Sequence, residues 1–230
     1  MKFKDSLKLF NYVYQNKVFF VVIIIFFFNC LMHFFSPMGL LLLGLMASIS
    51  STYFVNITYQ AMVSGMVQSS EKVRKSVLKH FTIIMLISNL FHFALFILPK
   101  YFFIVFTGDN PGREIAIFLI NYMLYNILTF ISVALLYKKQ VLGIVILGIM
   151  VLIMLIQFPQ LMTLTAEKFQ NSFLGLPQFT GFSGTANVGL LLAATAVCII
   201  SPFIYYIISK AMQNVPISKS YMDRQPWGKL

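Results

Sequence analysis

The chain has 230 residues, of which 59% are hydrophobic and 10% charged, with 25 Phe and a mean hydropathy of +0.85. Soluble domains are rarely this apolar, and runs of about twenty apolar residues mark an integral membrane protein whose spanning elements are helices. The net charge of +11 does not point to nucleic acid, because the basic residues flank apolar runs as membrane anchors facing anionic lipid.

Residues 1–17 read as an amphipathic interfacial helix. Phe3, Leu7, Phe10 and Tyr14 fall on one face, with Lys4, Lys8 and Asn11 opposite. This segment is too polar for a cleavable signal, and the run after it lacks a small-residue cleavage site. The first span covers about 18–35 and carries Asn29 and His33 four residues apart. Cys30 here and Cys198 near the other end are the two cysteines, too few for a disulfide framework or a metal site.

After an uncharged turn at 36–39 the second span runs about 39–68, which at 1.5 Å per residue is about 45 Å. That exceeds a hydrocarbon core of about 30 Å, so the helix must tilt or protrude. Ser48, Thr52, Asn56 and Tyr59 make a polar stripe at helical spacing, with Gln60 beside it. Such a stripe faces either another helix or a water-filled cavity.

The stretch 69–80 stands out. Glu71, Lys72, Arg74, Lys75 and Lys79 crowd into it between two apolar runs. It holds no Gly or Pro, and Glu71 and Lys75 are spaced for a helical ion pair, so it reads as a short helix. Val73 and Val77 share one face while Lys72, Lys75 and Lys79 share another.

The third span, about 81–106, contains His92, and Pro99 and Lys100 near its outer end. The proline is expected to kink or end the helix. A loop-forming segment at 107–114 leads to the fourth span, about 115–137. Its second polar stripe is Asn121, Tyr125, Thr129 and Ser132. Lys138 and Lys139 then separate it by a minimal loop from the fifth span, about 142–161. This span is almost purely aliphatic, with Gly143, Gly148, Met150 and Met154, and Gln157, Pro159 and Gln160 are expected to break its outer end. Residues 162–187 mix Gly and Pro with Phe169, Phe173, Phe179 and Phe182, which suits interfacial or re-entrant structure in the outer leaflet. The sixth span, about 188–209, offers Gly189 and Ala193 for close helix packing. A polar tail, 210–230, follows.

Charge orients this six-span arrangement. With both termini cytoplasmic, only Lys100, Arg113 and Lys168 of the 17 basic residues lie outside, which leaves 14 inside. The expected location is a bacterial cytoplasmic membrane, crossed many times.

Several chemistries are missing from the sequence. There is no Gly-x-x-x-x-Gly-Lys-Ser/Thr phosphate loop, no metal spacing among His33, His80 and His92, and no acid within a span. No serine carries a nucleophile motif. An enzyme and an ion-driven carrier are both disfavoured.

What remains is an N-terminal amphipathic helix, six spans, a basic helix between spans two and three, a minimal loop between spans four and five, and a long, partly apolar outer segment before span six. This pattern resembles the permeases of ABC exporters of the type V fold. Within that group it looks most like the small permease subunits of staphylococcal phenol-soluble modulin exporters, and lantibiotic-immunity permeases look similar. The resemblance covers nearly the whole chain but rests on architecture, with no signature string. It implies a connecting helix at 1–17 and a cytosolic coupling helix at 69–80. Glu71, Lys72, Val73, Arg74, Lys75, Val77 and Lys79 would contact a separate ATP-binding cassette subunit, since this chain departs from fused exporters in having no nucleotide-binding domain. ATP and magnesium would sit on that partner, with no cofactor in this chain. A second permease copy, identical or paralogous, would complete a path lined by Ser48, Thr52, Asn56, Tyr59, Met150 and Met154. Beside these, Ile144 and Leu147 extend the apolar wall. The cargo implied is an amphipathic peptide. A non-transporting scaffold or assembly factor stays open as the other reading.

Overall fold

A computed structural model describes residues 3–5, 17–35, 39–40, 42–49, 70–107, 111–136, 139–162 and 184–212. The described residues contain helices and no strand. Helix α1 is Lys17–Phe34. Residues 39–40 and 42–49 are helical, and 42–49 is called α2. Then come α3, Glu71–His92, a π-helical turn at Phe93–Ile97, and α4, Leu98–Thr107. Helices α5, Pro111–Leu136, α6, Gln140–Met162, and α7, Gly184–Ala211, complete the described chain.

Three helical stretches are long and apolar enough to cross a membrane: Glu71–Phe106, Glu114–Leu136 and Asn187–Ala211. Shorter apolar helical stretches occupy Ile24–Phe34 and Gln140–Ile156.

The middle of the assembly is α5, which packs most extensively on α7 and then on α6, while α3 lies against α7. In an apolar solvent, burying Leu or Phe gains little over contact with lipid, so close fit and interhelical hydrogen bonds hold helices together. Both devices are visible on α5. A Cβ on Gly44 of α2 would meet the Tyr122 backbone at 2.8 Å, and one on Gly143 of α6 would meet that of Leu136 at 2.7 Å. These two glycines let their helices lie directly on α5.

Three apolar clusters fill the remaining space. One joins α1, α2, the π turn, α4, α5 and α7 through residues such as Cys30, Leu43, Phe96, Phe118, Tyr122 and Cys198. A second gathers Val77, Leu78, Phe81, Met85, Phe130, Ala134 and Tyr205. The third is Leu45, Tyr125 and Met150, flanked by Ile49, Leu128, Leu147 and Met154.

As expected near Pro99, the regular α-helix is interrupted: α3 ends at His92, and a π turn leads into α4. The Leu98 N–H reaches back five residues to the Phe93 carbonyl, so the hydrogen-bond register slips one residue just before the ring that would disrupt a regular turn. Helix α6, by contrast, passes through Pro159 to Met162. Nor is 69–80 a separate short helix. No breaker lies between His80 and Phe81, so α3 runs straight from Glu71 into the apolar region. Gly189 and Ala193 face outward, and a Cβ on Gly189 would meet nothing within 4 Å. The described chain does not use that pair for packing.

Candidate functional site

Two regions carry the polar chemistry. The first is the start of α3. Ser70 is extended and precedes the helix, and Glu71 sits in its first turn, where a carboxylate favours the exposed N–H groups. Lys75 Nζ lies 2.6 Å from Glu71 Oε1, the ion pair that the spacing predicts. The hydrogen bond to Lys75, and then its charge, hold the Glu71 carboxyl below its usual range. Glu71, Lys72, Lys75 and Lys79 are exposed, while Val73 and Arg74 are half-buried.

The opposite edge belongs to the chain itself. Val77 has 0% exposure and packs in the cluster of Phe81, Met85 and Tyr205, with Val73 against its margin. The two valines do share a face, as their spacing requires, but Val77 is covered by its own protein. The His80 ring meets Phe3 edge to face at 5.3 Å, which brings residue 3 to this end of α3.

The second region is a buried polar node between α2, α3, α5 and α7. Asn89 and Asn126 form a reciprocal amide pair. Asn126 Nδ2 donates to Asn89 Oδ1 at 3.0 Å, and Asn89 Nδ2 donates to Asn126 Oδ1 at 3.3 Å. Asn89 Nδ2 also donates to the Cys198 carbonyl at 2.8 Å. Asn126 Nδ2 reaches Ser48 Oγ at 3.3 Å and the Tyr122 hydroxyl at 3.5 Å. Ser48 Oγ donates to the Gly44 carbonyl one turn back, at 2.8 Å. An interhelical hydrogen bond in a membrane is worth about 0.6–2 kcal/mol, so this node ties four helices together.

The stripe on the fourth predicted span is wholly interior. Asn121, Tyr125, Thr129 and Ser132 are all buried. Ser132 Oγ donates to the Gly143 carbonyl at 2.9 Å, and Thr129 Oγ1 approaches Met150 Sδ at 3.8 Å. Tyr125, Thr129 and Ser132 of this stripe form a helix interface with α6.

The residues expected along a path divide. Ser48 is buried in the node, Met150 is sealed between Leu45 and Tyr125, and Met154 is half-buried beside them. Ile144 is exposed while Leu147 packs inward, so this part of α6 is not one open wall. Thr52, Asn56 and Tyr59 lie outside the described residues, as do most of 1–17, the segment 163–183 and the tail after 212.

Sequence reasoning does not single out Asn89 or Asn126. The available signal is an amide inside an apolar run, which in a membrane calls for a partner on another helix. Among the described residues, no group of three or more His, Cys, Asp or Glu could hold a metal. Compared with family models, curated proteins and solved structures, the chain matches none.

Proposed function

We propose that this chain is the membrane permease subunit of an ABC exporter, driven by a separate ATPase subunit and moving amphipathic peptides out of a bacterial cell. In this reading it has six spans with both termini cytoplasmic, and two permease copies frame the path. The single observation that carries the proposal is the continuity of Glu71–Phe106 as 36 helical residues. At 1.5 Å per residue such a rod is about 54 Å long, against a hydrocarbon core of about 30 Å. Its charged first turns therefore stand clear of the apolar layer. A push on Lys72, Lys75 or Lys79 is delivered straight to the membrane portion of the same rod, with no flexible joint at His80. That is the mechanical requirement for a subunit without a motor of its own.

Because Val77 is committed to its own chain, the contact edge offered to the ATPase is Glu71, Lys72, Lys75 and Lys79, with Val73 and Arg74 at its border. The burial of Val77 also favours a second reading, in which the stretch serves folding and topology only and the protein is a scaffold. Co-purification separates the two. An ATP-binding cassette subunit is expected to be encoded beside this chain, to co-purify with it and to be stimulated by it in lipid. Lys72→Glu combined with Lys75→Glu should abolish both effects while the permease stays folded. If no ATPase binds the parent chain, the exporter reading fails and the scaffold reading stands.

A further inference from the structure

Helix α7 contains Pro202 in its interior. Proline has no N–H, so the carbonyl four residues earlier loses its helical donor. That carbonyl belongs to Cys198. It is the same oxygen that receives the Asn89 side-chain amide at 2.8 Å. We propose that Asn89 is the latch of a proline hinge in α7: its amide stands in for the missing backbone donor and holds the interrupted turn closed.

Three further observations support the assignment. Asn89 is 1% exposed and Cys198 0%, so bulk solvent does not reach the Cys198 carbonyl. Its orientation is set from the far side by the amide pair with Asn126, whose own amide reaches Ser48 on α2. Finally, Ser201 Oγ donates back to the Val197 carbonyl at 2.7 Å, a contact that commonly bends helices. Two successive carbonyls of α7, at 197 and 198, are thus held by side-chain donors at one level of the bundle.

The consequence is mechanical. An ordinary helical turn is closed by its own backbone and opens only by unwinding. The turn at 198–202 is closed by another helix and opens when α3 and α7 separate. The two halves of α7 can then articulate, and the joint closes again when Asn89 returns. This inference rests on the fold alone and stands whether or not the chain is a permease.

A double-mutant cycle tests it. Asn89→Leu orphans the Cys198 carbonyl and lowers the thermal midpoint by roughly 5 °C. Pro202→Ala restores the backbone donor, so in the Asn89→Leu background it should recover at least half of that loss. In the parent background it should gain much less. The lost Asn126 contact is common to both Asn89→Leu proteins and cancels in the cycle. If Asn89→Leu alone does not fold, recovery of folded protein on adding Pro202→Ala supports the latch, and no recovery overturns it. Additive effects also overturn it.

The second readout is geometric. Spin labels at Val188→Cys and Ile207→Cys, both on the exposed face of α7, lie about 28 Å apart along a straight helix. Cys30 and Cys198 are replaced by Ala, which leaves the 198 carbonyl in place. The distance distribution should broaden in Asn89→Leu and narrow again in the double variant. An unchanged width in Asn89→Leu rules out the hinge.

Discussion

Lys100 Nζ donates to the carbonyl oxygen of Phe34 at 2.6 Å, although the lysine is only 3% exposed. Phe34 is the last residue of α1, where carbonyls have no helical partner and a cation is favoured. The ammonium also lies 5.7 Å from the Phe34 ring centroid and 5.1 Å from that of Phe103, close enough for cation–π attraction. This contact pins the C-terminal end of α1 to α4. Replacement by Met keeps the aliphatic stem but removes the donor, and should cost about 1–3 kcal/mol. Thermal unfolding in detergent measures the loss. Cys30, buried where α1 meets the cluster, should also react faster with a thiol reagent in Lys100→Met. Unchanged Cys30 reactivity would show that α1 docks without the lysine.

The two described glycines of α6 should respond in opposite ways. A methyl at Gly143 lies 2.7–3.0 Å from backbone atoms of Leu136 and Ser132, while one at Gly148 meets nothing within 4 Å. Gly143→Ala must push α6 away from α5 and should cost about 1–3 kcal/mol. Gly148→Ala should be neutral or gain up to about 1 kcal/mol from helix propensity. Melting curves of the two variants in one detergent decide the matter. Equal shifts would mean that α6 does not rest on α5 at Gly143.

Val77→Asp should prevent folding, because it places a carboxylate in a fully buried apolar cluster with Phe81 and Met85, a change of the kind that exceeds about 4 kcal/mol. Lys72→Glu and Lys75→Glu sit on exposed turns and should leave the yield of monodisperse protein unchanged. Size-exclusion profiles separate these outcomes. A well-folded Val77→Asp protein would place Val77 at a surface.

The Glu71 carboxyl should titrate below its ordinary value of 4.5, chiefly because of the Lys75 hydrogen bond. A depressed carboxyl stabilises the helix above its unfolded value, and that contribution fades as pH falls through the shifted value. Carboxyl-carbon NMR on the parent and Lys75→Ala measures this directly. The titration should move upward in the variant. An identical curve would assign the shift to the helix terminus instead.

How much of this fold is legible in the sequence follows from what periodicity encodes. Spacing assigns residues to a face, so Asn121, Tyr125, Thr129 and Ser132 group together on spacing alone. Spacing does not say what that face meets. The choice between cavity and interface is decided by Ser132 reaching the Gly143 carbonyl of α6. Asn89 and Asn126 sit among other polar residues of their helices, such as His92 and Tyr122, so spacing does not mark them out, and their pairing across two helices is a property of the fold. Gly189 and Ala193 show the reverse failure: small residues permit a close approach but do not compel one. Pro99 has the chemistry of a local breaker, and the regular helix does give way to a π turn just before it, while α6 reaches Met162 past Pro159.

The π turn at Phe93–Ile97 has one more consequence. It holds one residue more than a regular turn would, and every side chain beyond it takes its azimuth from that surplus. Deleting one residue there would swing α4 by about 100° about its axis. Lys100 would leave the Phe34 carbonyl and face hydrocarbon. The position of the buried Lys100 ammonium is therefore set by the number of residues in a turn that lies wholly within an apolar stretch and carries no charge of its own.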